Sequence, residues 1–227
     1  MNRARDQEPN PHQRRALLIS ALLVAASGLG YELVGGAVST YLQGDGVLQF
    51  CIVIGTFLSA MGIGSLLSRT VHKRLLPTLV WLEISVAVLG SVLAPTLTWV
   101  YGQGGPYTLT LVSIVGAVGV LTGMEIPLLL RLLERGSTLR EAAASVLGLD
   151  YIGALMASLA VPIVLIPSVG TIGAGCVFGL LNLAVAGVVI ASFPRLRTGL
   201  MIGTVTVLSL PMIAGVAFSD RIAIGLE

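Results

Sequence analysis

The sequence predicts an all-α, polytopic transmembrane helical bundle of about seven spans, with its N-terminus in the cytoplasm. Three observations carry that prediction. The chain has 227 residues, 55% of them hydrophobic and only 11% charged, under half the charged share of about 25% in an ordinary soluble domain. Its apolar residues come in blocks of about 20 or more, the length needed to cross a hydrocarbon core about 30 Å thick. Its basic residues fall in alternate connectors, the distribution that marks cytoplasmic loops. Period-two alternation, which a membrane β-barrel needs, is absent. In lipid the backbone must satisfy its own polar groups, so these blocks read as helices.

Taken in order, the spans lie near 16–38, 47–68, 75–101, 109–133, 145–167, 174–193 and 200–219. The first follows Arg14-Arg15 in a cytoplasmic tail of residues 1–15 that also holds Arg3 and Arg5. It is long enough to cross, and it carries Tyr31-Glu32 where a cleavage site needs small neutral residues, so it reads as an uncleaved helix and not a signal peptide. Gly44-Asp45-Gly46 suits a tight outer turn into the second span. Arg69, Lys73 and Arg74 follow that span, Arg131, Arg135 and Arg140 surround the fourth–fifth connector, and Arg195 and Arg197 follow the sixth. The opposite loops, 39–46, 102–108 and 168–175, contain no Lys or Arg. In the connector 134–144, Ser137 or Thr138 is placed to cap a short helix leading into span five, with Glu141 as the capping-box partner of Thr138. A seventh span that crosses completely despite Pro211 puts residues 220–227 outside, where "SDRIAIGLE" reads as the boundary to a further domain. Trp81, Trp99, Tyr101 and Tyr107 sit near span ends and fit an interfacial belt.

Small residues at helical spacing mark where helix backbones can approach closely in lipid. They are Gly55-x3-Ser59 and Ala60-x3-Gly64 in span two, and Gly119-x3-Gly123 in span four. Packing within the chain is the expected use of these faces, with oligomer contacts the alternative. "GLGYELVGG" (28–36) also echoes "GLDYIGAL" (148–155), each with Gly-Leu-x-Tyr and an acid beside the Tyr, Glu32 or Asp150. Parallel repeats of this kind occur in transporters.

No soluble catalytic constellation is present. There is no Gly-rich nucleotide fingerprint between strand and helix and no nucleophile elbow, and His12 and His72 stand alone. Cys51 and Cys176 make no disulfide framework and read as small packing residues. The expected partner is the bilayer, and no cofactor, metal or nucleic acid is expected.

The chemistry lies in three carboxylates inside the apolar blocks, Glu32, Glu83 and Glu125. A charged side chain at mid-membrane costs about 2.5–3.5 kcal/mol on insertion scales, so such groups face a bundle interior, stay protonated or meet a cation. Glu32 lies about 24 Å along the first helix at 1.5 Å per residue, in the outer half and among Gly28, Gly30, Gly35 and Gly36. Glu83 falls in the inner half of span three. Glu125 sits in "TGMEIPLLL", where Pro127 cannot donate to the carbonyl of Gly123. A freed carbonyl one turn from an acid suits a cation or a proton. Asp150, near the cytoplasmic edge of span five, is expected to pair with Arg140 or Arg135. Tyr31, Asn182 and Gln49 are further polar groups able to line an interior, and hydrogen bonds to them would satisfy a protonated Glu with no function attached.

Four segments together carry a family resemblance: "GYELVGGAVSTYLQGDGVLQFCIVIGTFLSAMGIGSLLSR" (30–69), "GMEIPLLLRLL" (123–133), "DYIGALMASLAVPIVLIPSVG" (150–170) and "GLLN" (179–182). Their order and spacing resemble the multi-span membrane half of bacterial integral-membrane spermidine synthases, the polyamine aminopropyltransferases. In that family a soluble Rossmann-like domain follows and moves an aminopropyl group from decarboxylated S-adenosylmethionine to putrescine. The resemblance implies that activity for a full-length protein and a soluble aminopropyltransferase domain as partner. The Gly-rich cofactor loop and the amine-activating acids of that domain have no counterparts here, so no catalytic residue carries over.

Three functions follow as expectations. The first is a membrane domain that anchors a spermidine-synthase-like protein and binds or translocates a polyamine or another small cation at the buried acids. The second is a small proton- or sodium-coupled secondary transporter. The third is a structural membrane module that docks a partner through its small-residue faces.

Overall fold

A computed structural model describes residues 9–219. The first eight residues, with Arg3 and Arg5, and the tail 220–227 with its expected domain boundary, lie outside the described residues. The described chain is helical throughout: α1 (Pro11–Gln43), α2 (Gly46–Leu67), α3 (Leu75–Gly102), α4 (Tyr107–Leu133), α5 (Leu139–Ala160), α6 (Ile166–Ser192) and α7 (Gly199–Ala217). Among the described residues six stretches are apolar and long enough to cross a membrane, and one of them, Leu139–Ser192, runs for 54 residues. At 1.5 Å per residue that stretch is about 80 Å long, far more than one crossing needs. It therefore holds two of the seven expected spans.

Neighbouring contacts give the direction of each limb. Gly136, just before α5, lies against Pro9, just before α1, and Gly153 of α5 lies against the backbone of Leu22 and the methyl of Ala25, so α5 runs parallel to α1. On α6, Phe178 covers Gly30, and the Ser192 carbonyl accepts from Gln13 Nε2 at 3.1 Å, so α6 runs back. Between them Val161–Leu165 is π-helical around Pro162, which has no N–H to give. The reversal falls at Gly170, whose φ of +65° and ψ of −177° break the helix. The loop expected at 168–175 is thus a single-residue turn between two helical limbs.

The basic connectors gather at one end of the bundle. Arg131 Nη1 and Nη2 donate to the carbonyls of Val71 and Ser68 at 2.8 and 2.6 Å, and its Nε donates to Pro127 O at 3.2 Å. The guanidinium ties the end of α4 to the turn after α2, satisfying carbonyls that a helix end leaves without intrahelical partners. Its replacement by Ala is expected to cost about 2–4 kcal/mol, since a hydrogen bond to a charged group contributes roughly 1.5–3 kcal/mol. The check is the thermal midpoint of the detergent-solubilised protein, and Arg131→Lys should restore only part because an ammonium lacks the planar fork.

At the opposite end Ser39 Oγ and Tyr107 Oη lie 2.9 Å apart. Tyr107 is buried there, with only Trp81, Trp99 and Tyr101 of the expected belt facing outward. A β-carbon on Gly173 would meet Ser219, so α7 reaches the end away from the basic loops with Pro211 inside it. Local signals act as their chemistry requires. Asp45 caps α2 by accepting from Leu48 N at 3.2 Å, and Thr138 and Glu141 form a reciprocal capping box at the start of α5.

Helices α2 and α4 meet at closest range. A β-carbon on Gly64 would collide with the carbonyl of Val120, one on Gly123 with that of Met61, and one on Gly119 would come within 2.9 Å of Ala60. Gly55 and Ser59 are exposed and point away from this seam, as does Cys51, while Cys176 is buried against Gly215. The echo between 28–36 and 148–155 does not extend to structure: Tyr31 is 1% exposed and Tyr151 70%.

Candidate cation site at the bundle core

Two apolar clusters fill the bundle. Leu79, Leu128 and Ala186 belong to the inner one, and Val86, Val118 and Phe178 to the outer. Glu83 on α3, Glu125 on α4 and Asn182 on α6 come between these residues along their helices, so the polar groups occupy the seam. Their depths agree. Glu83 is eight residues in from Leu75 and Glu125 eight residues back from Leu133, each about 12 Å from the basic end at 1.5 Å per residue.

Tyr31 reaches the same level from further out. A helical side chain leans toward its own N-terminus, which on α1 is the basic end. Its ring lies over Gly90 of α3, where a β-carbon would strike it. The same ring meets Phe178 edge-on with centroids 5.8 Å apart, and Phe178 in turn covers Gly30. Gly175 and Gly179 bring α6 close to the backbone of α3. The glycines thus make the space into which the aromatic ring carries a hydroxyl.

Asn182 Nδ2 donates to Tyr31 Oη at 3.3 Å. The phenolic proton is then free to point elsewhere, and Glu83 and Glu125 lie at the same depth on the adjacent helices α3 and α4. Glu83 is 0% exposed and Glu125 1%, yet both oxygens of Glu83, Oε1 of Glu125 and Oγ1 of Thr122 are buried with no hydrogen-bond partner among the described residues. Buried carboxylates without partners cannot both hold charge in such surroundings unless a cation or a proton joins them.

Tyr31→Phe should cost about 1–2 kcal/mol by leaving the Asn182 amide unpaired in the core. Denaturant titration in mixed micelles reads this. Adding Asn182→Leu should recover most of the loss, because both partners are then gone.

Glu32, 9% exposed, lies on the helical wheel between Gly28, which faces Thr122 of α4 and then Phe57 of α2, and Gly36, which faces Phe50 of α2; among the described residues no hydrogen bond joins it to Glu83 or Glu125. Asp150 is half-buried on α5, and among the described residues no ion pair links it to Arg135 or Arg140. Pro127 sits inside a continuous α4. Among the described residues no group of three or more His, Cys, Asp and Glu is arranged to hold a metal ion. Thr122, Gly90 and Phe178 join the site without having been expected. Only Thr122, one turn before Glu125, left a readable signal.

Comparison with known proteins places this geometry in context. The chain is 38% identical over 210 residues to a polyamine aminopropyltransferase of Leptospira interrogans, covering 91% of this chain and 42% of that protein. It is 42% identical over 231 residues to polyamine aminopropyltransferase 1 of Ralstonia nicotianae, covering 96% and 44%. With the polyamine aminopropyltransferase of Oceanobacillus iheyensis it shares 32% identity over 220 residues, 95% of this chain and 43% of that one. The chain spans less than half the length of these relatives. No family model and no solved structure matches it. It is a multi-pass, membrane-embedded helical region related to the polyamine aminopropyltransferases of bacteria.

Proposed function

We propose that this region holds an aminopropyltransferase-type protein in the membrane and binds an alkylammonium cation, a polyamine, between Glu83 and Glu125. The observation that supports the reading best is the set of three partnerless carboxylate oxygens at equal depth on two adjacent helices. The names of the relatives supply the ligand class, since a polyamine is a chain of ammonium groups and carboxylates are its natural counter-ions. Tyr31 completes the site as a neutral hydroxyl, oriented by Asn182, that can hydrogen-bond to the pair. Because α7 ends away from the basic loops, a transferase domain continuing past residue 219 would stand on the outer face, and a cation held at the pair would lie between the two compartments.

The test is equilibrium binding of radiolabelled spermidine to the protein in nanodiscs. Glu83→Gln and Glu125→Gln should each weaken binding by about 30-fold or more, since truncating one partner of a buried charge pair costs about 2–5 kcal/mol. Parent-like binding by both variants would leave the region as an anchor alone.

A further inference from the structure

Near the basic end, α6 and α7 diverge. Further out they are pressed together, with Gly179 against Met212 and Gly215 against Cys176, but Gly187 has nothing within 4 Å of where its β-carbon would stand. The gap is a groove of about 270 Å³ lined by Gly187, Ile190, Ile202, Val205 and Thr206, with Arg197 at its mouth. Thr206 turns its hydroxyl to the carbonyl of Ile202 at 2.9 Å, so the walls are apolar along their length. From Gly199 to Thr206 the groove runs about 10 Å into the membrane at 1.5 Å per residue.

We propose that this groove binds an anionic phospholipid of the cytoplasmic leaflet, with the phosphate on Arg197 and the upper part of an acyl chain along Gly187, Ile190 and Val205. Charge decides the occupant. Arg197 uses Nη2 to hold the Ala191 carbonyl at 2.7 Å, which fixes the guanidinium at the mouth. It leaves the donors on Nη1 and Nε to meet an oxyanion. Basic pockets between helices on the cytoplasmic side suit acidic headgroups, and among the described residues no carboxylate lines this one. A protein helix seated here would have to bring its own acid to the same place, whereas an anionic lipid carries the charge and the chain in one molecule. Arg195, exposed in the same turn, does not line the groove and serves as an internal control.

The experiment is native mass spectrometry of the full chain, titrated with phosphatidylglycerol or phosphatidylcholine in mixed micelles. The parent should retain phosphatidylglycerol about tenfold better than phosphatidylcholine. Arg197→Gln, at an exposed turn, should bring the two lipids to near equality while phosphatidylcholine retention stays at the parent's level, which shows that the groove is intact. Gly187→Leu should remove retention of both lipids by filling the groove. Arg195→Gln should keep the parent's preference. The proposal is overturned if Arg195→Gln and Arg197→Gln act alike, which would mean diffuse attraction to the surface, if the preference survives Arg197→Gln, or if Gly187→Leu retains the lipids as the parent does.

Discussion

With Glu83 and Glu125 both changed to Gln, the protein should become more stable than the parent while losing its cation. The two effects have one cause. A buried polar group without a partner costs about 1–3 kcal/mol, and more if charged, and Glu83 offers two such oxygens and Glu125 one. Gln keeps the volume and shape of Glu, carries no charge, and can donate from one side chain to the carbonyl oxygen of the other. The double variant should therefore gain about 2 kcal/mol in unfolding free energy, read as a higher denaturation midpoint in mixed micelles. Spermidine should no longer raise that midpoint, whereas it should do so for the parent by binding the folded state preferentially. A stabilised protein without a ligand is the signature of acids kept at the expense of stability for a binding role. Packing residues give the opposite sign when altered.

The largest loss should come from Gly64→Leu on α2. The β-carbon alone would overlap the Val120 carbonyl, a backbone atom that cannot swing aside as a side chain can. Overpacking commonly costs 1–3 kcal/mol, and here about 3 kcal/mol or more is expected, because α2 and α4 must separate along the seam that also holds Ala60, Gly119 and Gly123. Gly62→Leu, two residues away, meets nothing within 4 Å and should change the midpoint by less than about 0.5 kcal/mol, as surface substitutions usually do. Thermal scans of both variants in the same detergent make the comparison. If the two midpoints fall equally, the α2–α4 seam is not where the bundle is held.

The helices were legible because hydropathy and the placement of basic residues are sufficient cues in lipid. Which face of each helix turns inward was not. In water an outward face declares itself by polarity, but in a bilayer both faces are apolar, so Gly55-x3-Ser59 and Ala60-x3-Gly64 look alike although only the second meets a neighbour. The same blindness made the 148–155 segment resemble 28–36, when one tyrosine is buried and the other faces outward. The turn at Gly170 lies inside the loop expected at 168–175; what its apolar flanks hid was how short the turn is, with one positive φ between two helical limbs. The acids were visible as anomalies one by one, but the full burial of Glu83 and Glu125 at one depth on adjacent helices depends on helix rotation and register. Arg131 read as a topology marker, while its role in tying α4 to the turn after α2 depends on a loop the sequence leaves undefined.

Infrared difference spectroscopy on the protein in lipid, before and after adding spermidine, looks at the core acids themselves. If an ammonium group enters between Glu83 and Glu125, the carboxyl stretch of a protonated acid should shrink and a carboxylate stretch should grow by a matching amount, with each single Gln variant altering the change and the double variant abolishing it. A parent spectrum in which neither band moves at saturating spermidine, or an unchanged difference in the double variant, would contradict the account.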